Sequence, residues 1–511
     1  MRCFFNFFSL HCWQVFFLFL LVPDAGFTLP IGKSPLVQDI ETIIYNPSFA
    51  VIPNRTFSAN DYGAVGDGTT LNTRFIQSAL DAASEAGGGI VSFLPGIYVT
   101  GAIFVRSNIE LKINKGVIIL AVQDDSGYPR LPTRIAGIET DWLAALINVY
   151  EEENVRITGH GVIDGNGEYW WRKFWGEDQQ GGMMGEYKKR GIRWAVDYDC
   201  ERVRPIVIWK STNVLLKDVT IKRAGFWNVS LIYSDKVHVD GLVIRSNTGL
   251  GLSGVGPSSD GINTDSSRNI LVENCDIDCN DDNLCVKSGR DADGLRVGRP
   301  AERIVYRDCI TRSGHGLFTL GSETSGGIRD IEVYNLVAKG TSTGIRFKSA
   351  KVRGGLIENI RFHHIQMENV KNPFRFDLNW FPEYSYPKIP DDIPQEEITD
   401  RWRLLTQKVE PPEIGIPEFR NIFISDITVK NSIVGIFCIA FEEKFIHNVM
   451  WENVIIEAQK PGKLVYARDW MMKNVILRTP DGKNIEAEHC IGVELPVVQS
   501  LDNASNPVNL P

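Results

Sequence analysis

From Asn154 onward the chain repeats one short pattern of apolar and polar positions. "NVRITGHGVIDG" begins at Asn154, "NVLLKDVTIK" at Asn213, "KVHVDGLVIR" at Lys236 and "NILVENCDID" at Asn269. "RIVYRDCITR" from Arg303, "DIEVYNLVAK" from Asp330, "NIRFHHIQME" from Asn359, "NIFISDITVK" from Asn421 and "NVMWENVIIE" from Asn448 complete the series. Apolar residues at alternate positions predict a short strand with one buried face. A polar Asn, Asp or Gly then predicts a bend into a second short strand. Many units lie 23 to 34 residues apart, the spacing of stacked repeats. Propeller blades need tight hairpins, and no regular Asn-Gly or Asp-Gly signals separate these strands. The pattern predicts an all-β chain, a right-handed parallel β-helix in which equivalent positions of successive coils stack. Cys275 and Cys309 occupy the same slot and are expected to pack on each other in the core.

The pattern changes in three places. "LNTRFIQSALDAASEAGGG" carries Phe75, Ile76, Ala79, Leu80 and Ala83 at helical spacing, with Asn72 as N-cap and glycines ending the run. A short helix there would cap the open end of the solenoid, where bare backbone invites aggregation. Two long insertions, Gly165–Arg204 and Lys371–Glu418, interrupt the coils. The first holds Tyr169, Trp170, Trp171, Phe174, Trp175 and Trp194; the second holds Trp380, Phe381, Tyr384 and Tyr386. Such aromatics either stack on sugar rings or pack the loop down, and sequence leaves both open.

At the N-terminus, Arg2 precedes an apolar stretch densest from Val15 to Val22, followed by Ala25 and Gly26. This is a signal-peptide pattern, and the run is too short for a comfortable membrane span. The expected organisation is a signal peptide over 1–26, an extension over 27–56, the β-helix over 57–491 and a tail over 492–511. The 511 residues carry a formal net charge of -9 with no basic run, which argues against nucleic-acid binding. Seven cysteines follow the leader, an odd number with no zinc-ligand spacing, and most read as small buried hydrophobes. A Cys279–Cys285 bridge is not expected. Asn54, Asn228 and Asn503 head glycosylation sequons.

Candidate chemistry sits in consecutive coils. "SSDGINTDSS" offers Asn263 and Asp265, with Asp260-Gly261 read as a turn. "CNDDNLCVKSG" offers Asp281, Asp282 and Lys287; "RSGHGLFTLGS" offers His315 between two glycines; "GTSTGIRFKSA" offers Arg346 and Lys348. The adjacent aspartates raise a parity problem. Asp282 shares the parity of Leu284 and Val286, so a strand running straight through it would point a carboxylate into the core, at high cost. The strand is therefore expected to start after Asp282, with a bend between Asp281 and Asn283 that turns both carboxylates to a cleft. Gly314 and Gly316 would let a ligand approach His315 closely. Three acids and two cations suit hydrolysis of an acidic sugar. Crowded carboxylates raise one another's pKa, so one can stay protonated, and Arg346 and Lys348 can hold a substrate carboxylate.

In order, Asn263-Thr264-Asp265, Asp281-Asp282, Gly314-His315-Gly316 and Arg346-Phe347-Lys348 resemble the four motifs of glycoside hydrolase family 28, the polygalacturonases. "DYGAVGDGTTLNT" near the N-terminus resembles the opening of that family. The resemblance spans about Phe57 to Ile491. It implies inverting hydrolysis of α-1,4-galacturonosyl bonds, with Asp281 as general acid and Asp265 and Asp282 as the pair that activates water. His315 would tune the acid, Arg346 and Lys348 would hold the galacturonate carboxylate, and Asn263 and Lys287 would join the substrate-binding set. No metal or cofactor is implied; the expected partner is galacturonan, pectin or its oligomers, met outside the cell by a monomer. Asn280 and Phe347 depart from the commoner Gly and Ile without removing a reacting group. "NDDNLCVKSGRDADGLRVGRP" and "GLFTLGSETSGG" look most like the exo-acting, bacterial-type branch, and the aromatic insertions would close one end of the cleft. Endo action, a rhamno- or xylogalacturonan substrate, a pectate lyase and a non-catalytic sugar-binding solenoid are the alternatives.

Overall fold

The computed structural model describes residues 33–177, 181–247 and 256–501. The leader over 1–26 and the sequon at Asn503 lie outside them. Strands from successive coils pair in parallel, and the crossovers wind right-handed, as nearly all parallel crossovers do. The chain folds as the expected right-handed parallel β-helix. One antiparallel hairpin, Arg130–Ile135 with Ile138–Leu143, stands apart from it.

The repeated bend residues have a physical reason to be Asn. Asn154, Asn213, Asn269, Asn359, Asn421 and Asn448 all adopt φ of 53° to 58°. Asparagine tolerates this left-handed region better than most side chains. Their amides also bond from coil to coil: Asn213 donates to Asn154 at 3.3 Å and Asn448 to Asn421 at 2.6 Å. Inside, apolar side chains stack in columns. Phe347, the unusual centre of the Arg-x-Lys motif, is fully buried and stacks on Phe376 with centroids 4.2 Å apart. Cys275 and Cys309 are buried as expected, and all seven described cysteines are free.

The predicted helix forms over Thr73–Glu85, with Ile76, Ala79, Leu80 and Ala83 buried. Asn72 precedes it but does not cap it. Its Oδ1 accepts from the Val65 amide at 2.7 Å and its Nδ2 donates to the Thr70 carbonyl at 2.6 Å, tying the preceding loop. A second helix, Pro35–Ile44, lies in the extension where none was expected. Val37, Ile40 and Ile44 pack it on Leu271 and Val305, on the outside of the coils. The solenoid also continues past Ile491, because Val497–Ser500 pairs with Ala467–Thr479. Among the sequons, Asn54 is exposed but Asn228 is fully buried, so the latter cannot carry a glycan in the folded chain.

Candidate active site

Four strands of one sheet stack in register. They are β1 (Ile262–Asp265), β2 (Asp282–Lys287), β3 (Gly316–Leu320) and β4 (Thr343–Lys348). Asn263 lies beside Cys285, Cys285 beside Thr319, and Thr319 beside Arg346. Outside this sheet lies a cavity of about 360 Å³. Its walls include Asp260, Asp281, Asp282, Lys287, His315, Glu323, Arg346 and Lys348.

Asp282 is buried, 1% exposed, and the strand begins at it rather than after it. The burial is tolerated because the carboxylate is saturated. Lys348 Nζ donates to Oδ2 at 2.6 Å; Arg346 Nη1 and Thr319 Oγ1 donate to Oδ1 at 3.1 and 2.8 Å. Thr319 and Arg346 share the outward stack with Cys285, so Asp282 faces the cavity despite its parity with Leu284. The alternation breaks at Asn283, whose buried amide donates to the Ser313 and Gly316 carbonyls at 2.7 and 2.9 Å. Burial alone would favour the neutral acid, but Lys348 and Arg346 hold Asp282 well below the usual carboxylate range.

Asp281 is half-buried, with Oδ1 3.3 Å from His315 Nδ1. Burial pushes its pKa up, but the His315 charge and hydrogen bond bring it below normal, and Asp281 in turn raises His315. The flanking glycines serve the protein more than a ligand. A Cβ on Gly314, at φ +109°, would meet the Asp281 carbonyl at 2.5 Å. One on Gly316 would come 2.9 Å from Asp282 Oδ1.

The third carboxylate of the cavity is Asp260, and here the sequence expectation is corrected. Asp265 does not line the cavity. It is 3% exposed and accepts from the fully buried Arg134 at 3.0 Å. Asp260, read as a turn residue, sits one coil from Asp282: the Gly261 amide donates to the Asp282 carbonyl at 2.9 Å. Gly261 is needed for that approach, because a Cβ there would stand 2.3 Å from the Asn283 carbonyl. Burial pushes Asp260 up to about 7; Lys287 opposes this, and Asp281 and Asp282 add to it. Asn263 is also missing from the cavity wall, buried with neither amide atom hydrogen-bonded among the described residues. Lys287 does line it, but its Nζ is engaged by Asp260 at 3.0 Å and lies 4.1 Å from the Trp227 ring centroid.

The insertions supply part of the remaining wall, with Ala136, Phe226 and Trp227. Trp170, Trp171, Phe174 and Trp194 of the first are buried and hold that loop down. Arg193 and Asp197 of the first, and Trp380, Phe381 and Tyr384 of the second, reach the cavity. Sequence reading missed Asp260, Asp197, Glu323 and Arg193. For Asp260 a signal existed: placing "SSDGIN" over "NDDNLC" coil on coil aligns it with Asp282. The charged lining comprises Asp197, Asp260, Asp281, Asp282 and Glu323 against Arg193, Lys287, Arg346 and Lys348. Each of these cations already faces an acid of the wall, so an anionic substrate must compete for them. One grouping of the described residues has the spacing of metal ligands: His238, Asp240 and Glu273. Lys217, Asn274, Arg307 and Tyr45 already saturate these carboxylates, which disfavours a cation there.

The family model described as glycosyl hydrolases family 28 matches residues 133–401, the segment that carries this cavity. The chain belongs to that family. It is 31% identical over 439 residues to a protein of Vitis vinifera named "Probable polygalacturonase", covering 82% of this chain and 83% of that one. It is 28% identical over 372 residues to the exo-poly-alpha-D-galacturonosidase of Dickeya chrysanthemi, covering 66% and 60%. The crystal structure of a hyperthermoactive exopolygalacturonase from Thermotoga maritima superposes with a TM-score of 0.71 at 26% identity, over 91% of this chain and 98% of that one. Membership makes this chain a glycoside hydrolase. Asp260, which reaches the cavity, is preceded by Ser258-Ser259, whereas Asn263-Thr264 precede Asp265, which does not reach it.

Proposed function

We propose that this chain hydrolyses α-1,4-galacturonosyl bonds of polygalacturonate from the chain end, with inversion. The observation that carries the reading is the clustering of Asp260, Asp281 and Asp282 with Arg346 and Lys348 in a cavity walled by both insertions. Asp281, itself held below the ordinary carboxylate range, relays to the leaving oxygen the proton that His315, 3.3 Å away and raised in pKa, supplies. Water is held between Asp260 and Asp282, the pair on adjacent coils. A substrate carboxylate draws Arg346 and Lys348 partly away from Asp282, which makes Asp282 a stronger base as the substrate seats. Trp380, within 4.6 Å of Lys348 Nζ, shields that cationic site from water. Asn263 and Asp265 have structural roles in this reading. The protein acts outside the cell as a monomer; no helix among the described residues is long and apolar enough to cross a membrane.

Early products from defined oligogalacturonides test this. Release of a single short product, with new reducing ends and no new near-ultraviolet absorbance, is expected. A ladder of mixed oligomers would contradict chain-end action, and an unsaturated product would indicate a lyase.

A further inference from the structure

Glu323 lies just beyond β3 and is 3% exposed on the wall of the cavity. Three elements converge on it. The Ala136-Gly137 turn of the antiparallel hairpin presses so close that a Cβ on Gly137 would lie 2.6 Å from Glu323 Cγ. Tyr198 of the first insertion donates to the Ala136 carbonyl at 2.8 Å and locks that turn. Tyr384 of the second insertion places its hydroxyl 3.5 Å from Glu323 Oε1. The cavity is therefore closed on this side by parts of the chain far apart in sequence.

The carboxylate is charged but poorly satisfied. Lys287 stands 3.8 Å away, and Lys287, Lys348, Arg353 and Arg290 together outweigh burial and keep Glu323 ionised. Yet Oε2 accepts no hydrogen bond among the described residues. Oε1 has only long contacts, 3.4 Å to Ser322 Oγ and 3.5 Å to Tyr384 Oη. Buried carboxylates are ordinarily well supplied with donors, as Asp282 is. Glu323 is an acceptor with capacity to spare on the wall of the cavity.

Chain-end action requires that an end be told from a middle. In a 1,4-linked chain the inner sugars carry a bridging oxygen at C4, which cannot donate. The non-reducing terminal sugar carries a free hydroxyl there, which can. The reducing-end hydroxyl also donates, but it interconverts between two anomers, whereas a fixed carboxylate suits the fixed C4 hydroxyl. We infer that Glu323 is the chain-end reader: its carboxylate accepts a hydrogen bond from the free C4 hydroxyl of the non-reducing terminal sugar seated against this wall. The inference rests on the chain-end hydrolysis proposed above.

The test compares trigalacturonate with a lyase-made trimer whose non-reducing sugar is 4,5-unsaturated and so lacks that hydroxyl. Sites built to hydrogen-bond a hydroxyl reject analogues lacking it by large factors. Wild type should favour the plain trimer in kcat/KM by roughly 100-fold or more. Glu323→Gln keeps the shape but offers a neutral acceptor, so the preference should fall at least about tenfold, a change in ratio that loss of stability alone would not produce. An unchanged ratio in a folded Glu323→Gln protein would overturn the inference. So would a wild-type ratio near one, which decides the matter even if the variant does not fold. Mixed oligomers from polygalacturonate and wild type would instead overturn the chain-end reading itself, whatever the ratio.

Discussion

Asp260 and Asp265 stand five residues apart, one just before β1 and one at its end, and both are buried acids of 3% exposure. Each is paired with a buried cation at 3.0 Å, but only Asp260 lies on the cavity wall. Asp265 is paired with a fully buried arginine, Arg134, away from the cavity wall. Asp260 lines the cavity beside Asp281 and Asp282, and burial together with those two like charges lifts its pKa to about 7. A buried ion pair away from the cavity fixes local structure, whereas one crowded by other carboxylates on the cavity wall is placed where a substrate would lie. In a solenoid the distinction comes from position within the coil, because only one part of each turn faces the cavity.

Several substitutions would sharpen or break this contrast. Asp282→Asn should have the largest effect, lowering kcat by about 10,000-fold, the upper end for losing a general base. It also leaves Lys348 and Arg346 without their acid, so a thermal melt should accompany the assay. His315→Gln should lower kcat by about 1,000-fold. In wild type, Asp281 raises His315 above its ordinary 6.5. The protonated, active form therefore persists below the raised value and is lost as pH climbs through it. The alkaline limb of kcat/KM should lie above 6.5 in wild type and be absent from His315→Gln.

Gly261→Ala comes next. Its Cβ would meet the Asn283 carbonyl at 2.3 Å and push β1 from β2, displacing Asp260. A displacement near 1 Å costs on the order of 100-fold in rate. Normal kcat in this variant would show that the closeness of the two coils does not matter. Asp265→Asn should have the smallest effect on rate, less than about tenfold. It leaves Arg134 buried without a counter-charge, so its stability should fall by about 3–5 kcal/mol, read as a lower melting temperature.

The coils, the insertions and the helix over Thr73–Glu85 were legible because period-two and helical patterns are local properties of the chain. The motifs at Asp281, Asp282, His315, Arg346 and Lys348 were legible because neighbouring residues recur together. The place of Asp260 on the cavity wall was not, since the Asn263-Thr264-Asp265 triplet is read by its letters while coil-on-coil register sets which acid reaches the cavity. The Asp282 parity problem did mark the site. Its resolution was a buried acid held by two cations rather than a strand that starts late, and those partners lie 64 and 66 residues away. The helix over Pro35–Ile44 was missed because its apolar face is complemented only by Leu271 and Val305 in distant coils.

The central claim is that Asp260, and not Asp265, completes the catalytic carboxylates. The most direct test is kcat of Asp260→Asn and Asp265→Asn measured side by side on trigalacturonate, with folding checked by circular dichroism. The account predicts a loss of about 1,000-fold for Asp260→Asn with its fold intact, and near-normal kcat for the folded fraction of Asp265→Asn. A folded, inactive Asp265→Asn beside an active Asp260→Asn would contradict it.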